Sequence, residues 1–410
     1  MSLCKLSSRA HACFNGVAGL PGSATDGPAW YRGPLVLLPG LLCLLIGIAL
    51  PSSGMYYRST ILLLWLPTLY LLVIRRHEWW SWFSPLMVAA TLFFAWALLS
   101  SLWSNGDEPA REIKHALMIY LTLCAGVLAA GLERRWLICL LTVSCYFMAC
   151  FAAISLYVAY VLHNVPATFR VASFWQMSHP ILAAHVFGFF LMALLHMRPA
   201  RMAHQACWSL ALLLLAGFIL LTQSRGVWMA LSAGLIVTAA LRRERIYLFA
   251  MLAGATLLSL VLAFWPDLLT GRGMSLRPEL AAEGLALLGH HPLGGFGLGG
   301  QYSLQLETTG RHFDHPHNLF LSVGLDLGGV GLVLWLAVWA LLLQAGWRNR
   351  QSALGSTVLG VWCFATVSFL SDGAGIWSKP REIWFLTWIP LTLALALGSA
   401  KTRSQTLPRR

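Results

Sequence analysis

The chain has 410 residues, 58% of them hydrophobic and 10% charged, with a mean hydropathy of +0.70 and a formal net charge of +13. Soluble domains average about 45–50% apolar and about 25% charged side chains, so soluble one- and two-domain architectures are excluded. The apolar runs are continuous, which also excludes a transmembrane barrel built on alternating lipid-facing and lumen-facing residues.

In chain order, residues 1–34 form a mixed cytoplasmic tail. No cleavable leader is expected, because the first apolar run is not trailed by a small-residue cleavage site. About twelve transmembrane helices come next, each long enough to cross about 30 Å of hydrocarbon. They are predicted at 35–50, 60–74, 83–103, 115–131, 136–162, 180–197, 206–222, 226–241, 246–265, 319–345, 353–371 and 382–399. Residues 400–410 form a second cytoplasmic tail. With both termini inside, most of the 28 Lys and Arg fall on the cytoplasmic side, while Asp26, Glu78, Glu133 and Glu244 are all that lie there of the 15 acids. The net charge is therefore a topology signal under the positive-inside rule, and no nucleic-acid partner is inferred. Trp79, Trp80, Trp82, Trp103, Trp136, Trp265 and Trp347 fall at span ends, where the indole anchors at the headgroup level beside membrane lipids. Cys4 and Cys13 lie in the tail and the other seven cysteines in or beside spans, so no disulfide framework is expected.

Residues 266–318 form one long external loop between helices nine and ten. Within it SLRPELAAEGLALLG reads as an amphipathic helix, with Ser275 as N-cap, Pro278 in the first turn and Gly289 as the stop. Its stripe of Leu276, Leu280 and Leu287, with Ala281, Leu285 and Leu288, suits the outer membrane surface. HHPLGGFGLGG lacks the lysine and strand–helix setting of a phosphate loop and reads as a turn-forming lid hinge. RHFDHPHNLFL then crowds Arg311, His312, Asp314, His315, His317 and Asn318 at the mouth of span ten. His-x-His with no paired ligand cluster and no Asp-x-Asp elsewhere does not make a metal site, and none is assigned.

Arg225, in TQSRGVW, sits in a tight external turn against the positive-inside bias, where burial in lipid would cost about 2.5–3.5 kcal/mol. Arg272 and Arg277 flank the start of the loop helix, Arg170 comes after span five, and Lys379 and Arg381 precede span twelve. Guanidinium forks match phosphate oxygens. External arginines with a histidine and no carboxylate pair suit glycosyl transfer from a lipid-linked diphosphate. The diphosphate leaves readily once its charge is stabilised, and the acceptor hydroxyl needs a base, a task for imidazole near neutral pH.

Three features together resemble the O-antigen ligases of the O-antigen ligase/polymerase superfamily. They are SRG at 224–226, an arginine opening the loop helix with PLGGFG after it at 292–297, and His317-Asn318 with nine residues before Gly328 and Gly331. The resemblance implies a GT-C-like, all-α polytopic fold and transfer of O-antigen glycan from undecaprenyl diphosphate to lipid A–core. The reaction it implies occurs on the periplasmic face of the inner membrane, is inverting, and needs neither metal nor cofactor. By motif position it makes His317 the general base and Arg225 with Arg277 the diphosphate-binding cations. Arg272 competes with Arg277 for that place, and His315, Asn318, Arg311, Asp314, Arg170 and Arg381 support the site. The tryptophan common in the family shortly after the loop arginine is absent, with Ala281 or Ala282 near its place. O-antigen polymerases and protein O-oligosaccharyltransferases share the donor, but polymerases generally have a second long external loop. A secondary transporter of an anionic substrate is the alternative of a different class, and it would need internal repeats and broken helices that the apolar pattern does not show.

Overall fold

The computed structural model describes residues 33–74, 83–166, 169–242, 276–306, 310–373 and 375–398, with isolated helical positions between 252 and 263. The tails, Arg272 and, apart from those positions, the predicted ninth span lie outside the described residues. Among the described residues six helices are long and apolar enough to cross a membrane: α2 (Ser53–Ile74), α4 (Pro109–Ala129), α5 (Arg134–Leu162), α7 (Met202–Leu221), α10 (Leu319–Arg348) and α11 (Ala353–Ser371). Five more are apolar but shorter: α1 (Pro34–Ala49), α3 (Pro85–Ser100), α6 (Pro180–Leu195), α8 (Arg225–Arg242) and α12 (Glu382–Gly398). The long loop holds a further described α-helix, α9 (Arg277–His290). The protein is an all-α polytopic membrane protein.

Local sequence sets where these helices begin. Pro34, Pro85, Pro109 and Pro180 open theirs, at positions where a missing N–H costs nothing. Ser52, Ser84, Asn318 and Ser352 accept a hydrogen bond from the amide three residues on. The core is strongly aromatic around α10, α3 and α12. Trp335 lies 5.3 Å from Phe93 and 5.6 Å from both Trp339 and Trp388, centroid to centroid. Trp103, Trp136 and Trp347 remain well exposed, as span-end anchors would be. The seven cysteines among the described residues are free.

α10 is interrupted at Gly328, whose φ of 69° and ψ of −172° lie in a region that is essentially glycine-only. A Cβ there would also collide with the Leu293 carbonyl. The interruption strips partners from the carbonyls before it and the amides after it, and in an apolar layer each must be paired again. The glycine-rich segment at 292–300 does this. Phe296 and Gly297 donate their amides to the carbonyls of Leu325 and Asp326, both at 2.8 Å. Gly329 and Val330 donate to Pro292 and Leu293 at 2.7 and 3.4 Å. The Trp96 indole N–H takes the Leu327 carbonyl at 2.9 Å.

The same segment is tied on its other side to the end of α3. Leu298 donates to Ser100 Oγ at 3.0 Å, Ser104 donates to the Leu298 carbonyl at 2.8 Å, and Gln301 and Asn105 exchange bonds of 2.8 and 3.1 Å. The expected turns are present, but the segment is a clasp held on both flanks rather than a hinge.

The loop helix α9 has Pro278 in its first turn as predicted, and it runs through Gly289 to His290. Ser275, the predicted cap, lies outside the described residues. The leucine stripe is spent inside the protein instead of on a membrane surface. Leu280 packs with Leu304 and Leu306, flanked by Leu276, Leu287, Tyr302 and Phe313, while Leu285 alone of the stripe stays well exposed. Its partner is an antiparallel hairpin that the sequence did not suggest, β1 (Leu304–Leu306) and β2 (Arg311–Phe313), in which Leu304 faces Phe313 and Leu306 faces Arg311.

Replacing Gly328 by Ala is expected to lower the thermal midpoint of the detergent-solubilised protein, since the backbone strain alone is about 1–3 kcal/mol. Gly217→Ala is the control, because a Cβ at that position inside α7 meets nothing within 4 Å and the midpoint should hold or rise.

Candidate active site

Two tight turns define the site. The first, between α7 and α8, holds Thr222, Gln223 and Ser224, with Gln223 in the left-handed region at φ 51°. Arg170 pins it, donating Nε to the Thr222 carbonyl at 2.9 Å and an Nη to Ser224 Oγ at 3.0 Å. α8 then starts at Arg225, which puts that guanidinium at a helix N-terminus where the backbone already favours anions. Gly226 explains the third position of the SRG motif. A Cβ there would stand 3.0 Å from Ser371 Oγ, so the glycine lets α8 lie against the end of α11.

The second turn precedes α10. His317 has φ 51°, unusual for a side chain with a Cβ, and stands directly after Pro316. Asn318 caps α10, accepting from the Leu321 amide at 3.1 Å and donating to the Leu370 carbonyl at 3.4 Å. That bond joins the start of α10 to the end of α11 and brings His317 Nδ1 to 3.6 Å from Asp372 Oδ1, just beyond hydrogen-bond length. Nδ1 is buried without a closer partner, and Nε2 is the ring nitrogen turned away from the carboxylate.

These turns, α9 and the hairpin enclose a cleft of about 380 Å³ lined by Arg170, Arg225, Arg277, Arg311, His317 and Asp372, with His185, Gln223, Ser224 and Ser371. Among the described lining residues four arginines face a single acid. Strand alternation puts Arg311 and Phe313 in the lining and turns His312 away to Ser303, 3.3 Å distant.

Five residues singled out in the sequence thus meet here: Arg170, Arg225, Arg277, Arg311 and His317. Others do not line the cleft. His315 bonds Asp314 at 2.6 Å, which holds that carboxyl below its usual range, and its ring stands 4.2 Å from that of His317. Asn318 is a helix cap, and Arg381 pairs with Glu382 at 3.1 Å. The sequence reading gave no place in the site to Asp372, His185, Gln223 and Ser371, and used Ser224 only as part of the SRG motif. His185, one of two histidines inside the apolar run at 180–197, was a usable signal, because ionisable groups in membrane-spanning segments are costly. Asp372 gave a weaker one, as an acid closing an apolar run.

A family model described as O-antigen ligase matches residues 210–336, which include Arg225, Arg277, Arg311, His317 and Gly328. The chain is also 32% identical over 373 residues to an O-antigen ligase of Pseudomonas aeruginosa, a match covering 88% of this chain and 90% of the relative. The chain belongs to the O-antigen ligase family. In this O-antigen ligase family member, both cleft-forming turns that open α8 and α10 fall inside the matched segment.

Burial raises the carboxyl of Asp372, but His317, His185, the Gly373 amide and Arg277 outweigh it and bring it down from 3.8 to about 2. The folded value lies below the unfolded one, so Asp372 adds stability above about pH 4 and loses that contribution as pH falls through about 2. Asp372→Asn should therefore flatten the decline of the thermal midpoint across that acid window, measured in detergent against the wild-type protein.

Proposed function

We propose that this protein joins O-antigen glycan from an undecaprenyl-diphosphate donor to a hydroxyl of the outer-core sugar of lipid A–core, at the periplasmic face of the bacterial inner membrane. Both termini then lie in the cytoplasm. The observation that carries this proposal is the cleft in which four arginines adjoin the His317–Asp372 pair. Arg225 and Arg277 bind the diphosphate, with Arg311 adding charge and Arg170 fixing the turn that presents Arg225; Arg272 is the alternative to Arg277. The acceptor oxygen attacks the anomeric carbon from the side opposite the diphosphate. Its proton passes to His317 Nε2 as the new C–O bond forms. The bond from carbon to diphosphate breaks with its electron pair, and undecaprenyl diphosphate departs with its charge held by the arginines. The sugar inverts, and neither metal nor cofactor takes part. Asp372 faces Nδ1 and supports the charge that the ring gains.

A positioned base contributes typically about 10²–10⁴-fold, so His317→Ala should bring transfer in a reconstituted assay close to background with membrane insertion intact. His315→Ala should retain measurable transfer. Full activity in His317→Ala, or loss on chelation that zinc or magnesium restores, overturns this mechanism.

Lysine keeps the charge of arginine but loses its fork, so Arg225→Lys and Arg277→Lys should each lower transfer at least tenfold. Wild-type rates in both variants would mean that these side chains serve only topology.

A further inference from the structure

His185 lines the cleft and has no part in the proposal above. It is 5% exposed and sits in α6, whose sequence PILAAHVFGFFLMALL holds no other ionisable group. Its ring lies edge-on to Phe364 of α11, 6.3 Å between centroids at 64°, which sets its tilt. Among the described residues none hydrogen-bonds its ring nitrogens, although it lies close enough to Asp372 and Arg277 for both charges to act on it. The ring is held among apolar side chains, and the space it faces is the arginine-lined cleft.

Depth identifies what completes it. α6, α8 and α10 all begin at the cleft, where Arg225 is the first residue of α8 and His317 lies two residues before α10. His185 lies five residues inside α6, about 7.5 Å further in at 1.5 Å per residue. A prenyl diphosphate entering from the bilayer presents its sugar-linked phosphate toward the base and its lipid-linked phosphate deeper. Asp372, the one acid among the described lining residues, lies at the level of His317.

We infer that His185 is a further ligand of the donor, its imidazole N–H hydrogen-bonding an oxygen of the lipid-side phosphate beneath Arg225 and Arg277, which presupposes the donor assignment made above. Hydrogen bonds to charged groups are among the stronger ones, and this one forms where water is scarce.

The test is direct binding of farnesyl diphosphate to the full-length protein in detergent, with inhibition of transfer by the same compound as a second readout. His185→Phe keeps a ring of similar size without nitrogens and should weaken binding about tenfold or more, raise the donor KM, and leave the acceptor KM unchanged. Asn offers an amide N–H near the Nδ1 position and Gln near Nε2. One of the two should recover binding to within a few-fold of wild type, a rescue that a packing role would not produce. Should His185→Phe fail to fold, the Asn and Gln variants decide alone: one binding well and the other poorly supports the inference, and both binding poorly overturns it. Wild-type affinity in His185→Phe, with the wild-type protein binding farnesyl diphosphate, overturns the role of His185 and leaves the proposed function standing. A wild-type protein that does not bind farnesyl diphosphate overturns the donor assignment itself.

Discussion

A helix inside an apolar layer cannot be interrupted unless the carbonyls and amides it releases find new partners, and the break at Gly328 is where this protein meets that demand. The partners are backbone groups of the segment at 292–300, so the long loop is welded to the membrane bundle by hydrogen bonds of 2.7–3.4 Å. The weld has a geometric consequence. α9 ends where the clasp begins and the hairpin starts just beyond it, so Arg277 and Arg311 reach the cleft from a loop whose middle is fixed against α3 and α10. A loop of that length without such an attachment would lose the positioning of both cations to chain entropy.

The cleft concentrates like charge. Four arginines line about 380 Å³ with Asp372 as the one acid among the described lining residues. The helix start at Arg225 adds the same sign. Such an arrangement favours an anion, and a doubly charged diphosphate more than a singly charged phosphate. The four guanidiniums are not equivalent: Arg170 is committed to the Thr222–Ser224 turn by two hydrogen bonds, so its contribution is to place Arg225 as much as to carry charge.

The apolar helices could be read from composition alone, because a run of that length has few alternatives in a chain this hydrophobic. Arg225 and His317 were legible for the opposite reason: each is polar where its surroundings argue against it. The clasp was not, since glycines signal permissive backbone without saying what they approach, and the Leu293 carbonyl that excludes a Cβ at Gly328 is 35 positions away in sequence. Three-residue strands carry too little alternation to announce a hairpin, and without the hairpin the leucine stripe of α9 had only lipid to face. Asn318 looked like chemistry and is a cap. Asp372 was missed because its partner, His317, is brought to it by the packing of α10 against α11, which no local pattern encodes.

Gln223 and His317, both in the cleft lining, share a φ of 51°, and neither is a glycine. Residues are held in that region only when their surroundings over-determine them. At Gln223 the Arg170 staple and the Thr222–Ser224 hydroxyl bond of 3.0 Å do so; at His317 it is Pro316 before and the Asn318 cap after. In both turns the unusual residue comes just before a helix start, so the strain fixes the direction from which the chain enters α8 and α10. A relaxed backbone at either position would redirect the helix entry and separate Arg225 from His317, which lie 92 residues apart in sequence and share one cavity. The backbone strain thus belongs to the same design as the buried clasp: both hold polar groups where an apolar bundle would otherwise expel them.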